Sequence, residues 1–148
     1  MKTVHEILLS KQKDIWTVSP KATVFEALAM MGEKGVGALV VMDENGVVNG
    51  IISERDYARK VILRGKSSRD TLVQEIMTPM AQLYTVKPET SVTDCMVLIT
   101  GKKVRHLPVF DGDIFVGVVS IGDVVKSIIA EQETLIEHLS NYIAGKYV

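Results

Sequence analysis

Cysteine is nearly absent from this chain. Cys95 is the only one in 148 residues, which excludes an internal disulfide framework, and no Cys/His grouping has zinc-site spacing. Such usage suits a reducing compartment. His5, His106 and His138 are scattered. Net positive charge is missing as well. Seventeen Lys and Arg stand against eighteen Asp and Glu, leaving −1, so the chain lacks the bulk field on which non-specific nucleic-acid binding relies. No run of residues approaches the roughly 18 apolar positions of a membrane span. Met1 to Leu9 hold Lys2, His5 and Glu6 among a few apolar side chains, too short and polar a stretch for a signal segment. The expectation is a soluble cytoplasmic protein with neither nucleic acid nor membrane as partner.

The marks of a reacting centre are also missing. No close carboxylate pair, Cys–His nucleophile arrangement or Walker-type loop is present, so no enzyme is expected. Cys95 lies inside an apolar helical pattern, where a thiol packs more readily than it reacts.

What the chain does have is a duplicated pattern. Gly50-Ile51-Ile52-Ser53-Glu54-Arg55-Asp56 returns as Gly117-Val118-Val119-Ser120-Ile121-Gly122-Asp123, each reading as a buried strand that runs straight into a helix. The surroundings repeat too. Val73-Gln74-Glu75-Ile76 echoes Val4-His5-Glu6-Ile7, and Val86-Lys87-Pro88 echoes Val18-Ser19-Pro20. Thr23 with Glu26 and Ser91 with Asp94 both match a capping box, in which hydroxyl and carboxylate satisfy orphan amides at a helix start. Ala38 to Met42, a turn at Asn45-Gly46 and Val47 to Ile52 read as a hairpin. Its second copy is one residue shorter at Asp111-Gly112-Asp113, where loops absorb length changes most easily. Helices are predicted from Thr23 to a stop at Gly35 and from Ser53 to about Leu63.

The organisation expected from this is one repeat over 1–64, a linker over 65–72, a second repeat over 73–129 and a helical extension over 130–148. A 65-residue repeat cannot cover both faces of its own sheet, so the two are expected to pack together. The near-continuous apolar strands agree, because one-sided sheets alternate. The fold class is α/β, two β-α-β-β-α repeats with pseudo-two-fold symmetry plus an extended C-terminal helix.

Two readings of the Ser-x-x-Asp joints compete. In the first they are only helix caps. In the second, strands ending inside a sheet aim the helix starts at a crevice between the halves, where amides and helix dipole favour an anion. The Ser53 and Ser120 hydroxyls would then help to hold phosphate, and the Asp56 and Asp123 carboxylates would accept from a ribose diol. Phosphate with a diol implies a nucleotide. Arg55 puts a cation at the first joint, whereas Ile121-Gly122 leaves the second without one. Lys102, Lys103, Arg105 and His106 cluster at a strand entry where the first repeat has Lys34, Gly35, Gly37 and Ala38. They read either as phosphate ligands or as a solvated corner with a packed histidine, and nucleic-acid binding there is disfavoured by the net charge.

The strand, Val-x-Pro break, capped helix, hairpin and closing G-h-h-S-x-x-D, given twice from Val4 to about Ile128, resemble a tandem pair of cystathionine β-synthase-type (CBS) domains of the small stand-alone kind. Ser53-Glu54-Arg55-Asp56-Tyr57 and Arg105-His106-Leu107-Pro108-Val109 are the most telling strings. The resemblance implies that Ser53, Asp56, Ser120 and Asp123 contact ribose or phosphate of an adenosine ligand. It also implies that the base lies beside Ile15 to Val18 and Leu83 to Val86, which contain Thr17, Val18 and Thr85. In the nucleotide-sensing CBS subunits of AMP-activated kinases a His-Arg pair before Leu-Pro contacts phosphates, and this chain has Arg105-His106 there in reversed order. The expected ligand is AMP, with ATP, ADP, NAD(H) and S-adenosylmethionine open. The expected behaviour is sensing with a conformational or oligomeric output to an unknown effector protein, and a ligand-free interaction scaffold is the rival. Val125, Ile128, Ile129, Leu135, Ile136, Leu139 and Ile143 recur at helical spacing past the end of the repeat, interrupted by Gln132. With the family's habit of dimerising through its helices, they point to a homodimer or a partner surface.

Overall fold

The structure, a computed structural model, describes residues 2–11 and 15–145. Met1, Gln12 to Asp14 in the polar lead-in, and the last three residues of the expected extension lie outside the described residues. The chain forms two compact units, one from residues 14–83 and one from 1–13 with 84–148.

In the 14–83 unit a four-stranded sheet has the order β1-β2-β3-β4. β1 (Thr17–Val18) lies parallel to β2 (Ala38–Met42), with Thr17 opposite Val40. β2 pairs antiparallel with β3 (Val48–Ser53). Asp43 holds the connecting turn by accepting from the Asn45 and Val47 amides at 2.9 and 3.0 Å, which keeps its carboxyl below the usual range, the Val47 bond contributing most. Leu39, Val40 and Val41 are buried in succession, so both faces of β2 are covered, as the unbroken apolar run requires.

β4 (Thr78–Pro79), a strand beyond those expected, adds antiparallel to β3 at Gly50 and Ile51. Gly50 is what admits it, because a Cβ there would overlap the Thr78 carbonyl oxygen. Proline suits this outermost strand, where no ladder amide is needed.

α2 (Val24–Lys34) begins at Thr23, whose hydroxyl accepts from the Glu26 amide at 3.1 Å. It ends at Gly35 with φ 66°. The helix α3 (Glu54–Lys60) stops short of the predicted Leu63, because buried Val61 leaves helical geometry (φ −117°, ψ −71°) and a 3₁₀ turn Ile62–Arg64 follows.

The other unit carries α1 (Val4–Ser10), α5 (Val92–Lys102), the hairpin β5 (His106–Asp111) with β6 (Ile114–Ser120), and α6 (Ile121–Ile143). The predicted counterpart of β1, Leu83 to Val86, shrinks to one parallel bridge between Val86 and Val109. α5 ends on Lys103 at φ 55°, in the left-handed region that Gly35 occupies in the other repeat. α6 runs unbroken through residue 130, so the extension is not a separate element but the tail of the last repeat helix.

Sequence repeats and compact units are offset by one helix. The opening helix α1 packs in the unit that holds the second repeat's hairpin, through Val4 N to Thr90 O at 2.9 Å and His5 N to Pro88 O at 2.8 Å. Its counterpart α4 (Val73–Ile76) does the same in the 14–83 unit, through Val73 N to Ala22 O at 2.8 Å and Gln74 N to Pro20 O at 3.0 Å. Helices this short are not stable alone. Burial of Val4 and Ile7, and of Val73 and Ile76, within the respective cores is what fixes them. The boundaries drawn from the repeats, 1–64 and 73–129, therefore separate each opening helix from the core it completes.

Candidate functional site

At the first joint β3 ends in Ser53 with extended backbone (φ −130°, ψ 164°), and α3 starts at the next residue. The Asp56 amide donates to Ser53 Oγ at 3.2 Å. Asp56 Oδ2 accepts from the Ser53 amide at 2.9 Å and from Ser53 Oγ at 3.1 Å. Its other oxygen, Oδ1, faces Lys60 Nζ at 3.2 Å, and that ammonium also donates to Ile76 O at 2.9 Å. The Glu54 amide is bound to Gly37 O at 3.0 Å.

The second joint repeats this backbone. Asp123 N donates to Ser120 Oγ at 3.1 Å, Ser120 N donates to Asp123 Oδ2 at 2.9 Å, and Ile121 N donates to Arg105 O at 2.9 Å. The cation, however, is new. Lys11, from the end of α1, donates to Asp123 Oδ2 at 2.7 Å and to Val118 O at 2.9 Å. The expectation that this joint has no cation is thus corrected: the charge comes from 112 positions away in sequence, where no local reading could find it. Burial works against ionisation of Asp123, but the bonds from Lys11 and Ser120 outweigh it, and the carboxyl titrates below its ordinary value.

Both joints are therefore complete capping boxes, and each carboxylate also carries one lysine. Arg105 and His106 stand beside the second joint, since the Arg105 carbonyl caps α6 and His106 is paired with Ser120 across the hairpin. Arg105 is exposed and His106 half-buried. Lys103, exposed, ends the helix just before them. Arg55 is half-buried in the first turn of α3. Thr17 is exposed on β1, Val18 is packed in the core, and Thr85 is exposed beside the Val86 bridge. The side chain of Val18 thus faces the interior of its unit, and only its backbone is left for a ligand.

A second doubled feature accompanies the proposed base segments. Lys34 Nζ lies 4.3 Å from the Trp16 ring centre, and Lys102 Nζ lies 5.4 Å from that of Tyr84. Both pairs occupy the same places in the repeat, and the matching spacing from Trp16 to Tyr84 and from Lys34 to Lys102 was the signal that would have revealed them. Such contacts contribute about 0.5–1 kcal/mol at exposed sites and hold a flat ring next to Thr17 and Thr85. Cys95 is buried, with its thiol pushed up by desolvation and then by Asp94, consistent with packing. Among the described residues no group of three or more His, Cys, Asp or Glu could hold a metal ion, and no helix is long and apolar enough to cross a membrane.

Comparison with known proteins finds the CBS domain model matching residues 4–63 and 73–130. The chain is 41% identical over 98% of its length to the CBS domain-containing protein CBSX3, mitochondrial, of Arabidopsis thaliana, covering 73% of that protein. A solved protein with CBS domains from Burkholderia ambifaria MC40-6 is 48% identical, with a TM-score of 0.83 over 88% of this chain and 96% of its own. The crystal structure of CBSX2 in complex with AMP is 27% identical, with a TM-score of 0.71 over 89% of this chain and 99% of that one.

Proposed function

The chain belongs to the CBS-domain family as a tandem pair, and from that premise we propose that it is a non-enzymatic regulatory module that binds an adenine nucleotide, AMP first, at its serine–aspartate joints. The observation that carries this is the doubled joint itself, in which an oriented carboxylate and a lysine meet at the start of a helix. A carboxylate held in this way accepts from hydroxyl groups, and cations beside a helix start favour phosphate. Ser53, Asp56, Ser120 and Asp123 take the sugar and phosphate. Arg55, Lys103, Arg105 and His106 supply charge and donors, and the backbone at Thr17, Val18 and Thr85 lies alongside the base. The AMP bound by CBSX2 supports the choice of ligand. Occupancy shifts the balance between arrangements of the module in proportion to how differently they grip the ligand, and an effector protein reads the change. Cytoplasmic location belongs to the same proposal, while CBSX3 is mitochondrial by name.

Self-association is part of the reading. On α6 the positions Val125, Ile129, Gln132, Ile136, Leu139 and Ile143 follow the alternating 3–4 spacing of a helix-pairing seam. Its apolar members are exposed, Ile143 at 85%. A homodimer covers such a stripe, and sedimentation of Ile136→Glu against the parent chain tests it.

The second reading, a scaffold without ligand, is favoured by the completeness of both capping boxes, which satisfy serine and aspartate without any guest. A thermal-shift panel of AMP, ADP, ATP, NAD(H), S-adenosylmethionine and adenosine separates the two. At a hundredfold excess over Kd a specific ligand stabilises by about 2.7 kcal/mol, a melting shift of roughly 5–10 °C at this size. No shift with any of them supports the scaffold.

A further inference from the structure

Lys11 comes to the second joint from a different element and a distant part of the sequence. Its ammonium makes two hydrogen bonds, to Val118 O and Asp123 Oδ2, and therefore keeps a third N–H. Its side chain is 35% exposed, enough for a guest to reach it. At Asp123 the cap and the lysine both use Oδ2, leaving Oδ1 to accept from a ligand hydroxyl. At Asp56 the cap uses Oδ2 and Lys60 takes Oδ1, so both oxygens are engaged.

Two more features separate the joints. The residue after the first helical position is Gly122 in one and Arg55 in the other. With no side chain, Gly122 lets a ligand approach the α6 backbone closely. One turn beyond Asp123 the Ser127 hydroxyl is buried without a hydrogen-bond partner among the described residues. This is the position that Lys60 fills on α3, and a buried donor without a partner is rare enough to call for one.

We propose that Lys11 is the phosphate-selecting residue of the second joint, its spare N–H binding a ligand phosphate while Asp123 Oδ1 takes a ribose hydroxyl, so that this joint prefers a nucleoside monophosphate to the bare nucleoside. The inference rests on the adenine-nucleotide reading above and adds which joint discriminates and by what atom. The site is the one argued there from the doubled joint and the family; Lys11 supplies its specificity.

Calorimetric titration of the full chain with AMP and with adenosine tests it, in an Asp56→Ala background that silences the first joint and, should that background not fold, in the unaltered chain. Lys11→Met should weaken AMP by about tenfold or more and leave adenosine within about threefold, because only the phosphate loses a charge-assisted bond. Lys11→Arg should restore AMP to within about threefold of the parent. Equal weakening of both ligands would overturn the proposal, leaving Lys11 as a support for Asp123. Tighter AMP binding by Lys11→Met would overturn it too, making Lys11 a competitor of the guest. A parent chain that binds neither ligand brings down the nucleotide reading itself, an outcome told apart because it precedes any substitution.

Discussion

The two joints have the same backbone and the same capping residues but neutralise their carboxylates from opposite directions. Asp56 takes Lys60 from its own helix, four residues on, and that lysine reaches the end of α4. Asp123 takes Lys11 from the end of α1, the counterpart of α4, and that lysine reaches back to β6. Where α3 has Lys60, α6 has Ser127, and at the place of Lys11, with Val4 set in register with Val73, the second repeat has Met80. Each carboxylate thus gets one cation, and the lysine has changed sides. Buried carboxylates that are hydrogen-bonded need such a countercharge more than they need a particular supplier. The local i, i+4 pair ties a helix to its own cap. The long-range pair ties α1 to the joint, and it keeps one carboxylate oxygen open.

The largest expected contrast lies between the glycines that precede the joints. Gly50→Ala drives a Cβ into the Thr78 carbonyl and should cost about 3 kcal/mol by parting β3 from β4. Gly117→Ala meets the end of the Leu8 side chain, Cδ2 at 2.9 Å, which can turn aside, so about 1 kcal/mol is expected. Urea unfolding followed by far-UV circular dichroism compares them, and the single tryptophan, Trp16, reports on the 14–83 unit separately. Equal losses would remove the distinction between a backbone and a side-chain obstacle.

Next come the carboxylates. Both Asp123→Ala and Asp56→Ala remove a cap bond and leave a lysine with one partner. Asp123→Ala also unties α1 from the joint, so about 2 kcal/mol is expected there against about 1 kcal/mol for Asp56→Ala, whose lysine stays on the same helix. The pH dependence sharpens the comparison. Since the Asp123 carboxyl is depressed in the folded chain, its stabilisation is fully present above the unfolded value near pH 4 and is lost as pH falls through the lower folded value. The deficit of Asp123→Ala at pH 7 should therefore shrink at about pH 3 in the same denaturation experiment. A deficit that stayed constant would mean that the charge on Asp123 contributes nothing.

The smallest effect concerns the helix ends. Lys103→Gly should raise stability by about 0.5–1 kcal/mol by relieving the left-handed backbone, and Gly35→Lys should lower it by about 1 kcal/mol. Thermal melts of the two variants check the pair.

Much of this was legible because its signals are local. The hydroxyl and carboxylate of each joint lie three residues apart, the hairpins announce themselves through Gly and Asn between apolar runs, and the repeat is a comparison of neighbours with neighbours. β4 was not legible, since two residues ending in proline carry no strand period, and its place depends on the bare Cα of Gly50. The α3 ending was misplaced because Val61 to Leu63 read as helix until the core claims Val61. Lys11 escaped for the reason that α1 did: the sequence shows that Val4 and Ile7 want burial but not which core will take them.

That choice of core has a consequence for how the chain is made. On the ribosome α1 emerges well before the core that takes it and finds no docking surface until the hairpin at 106–120 and the helix behind it have followed. Contacts so far apart in sequence slow folding. Synthesis arrested after the linker would release a first repeat without α4 and with α1 unattached, its sheet lacking the residues that complete the core. A half cut out at its repeat boundary loses the opening helix that completes its interior, whereas a piece cut at the boundary of the compact unit, 14–83, keeps α4 and the core it closes.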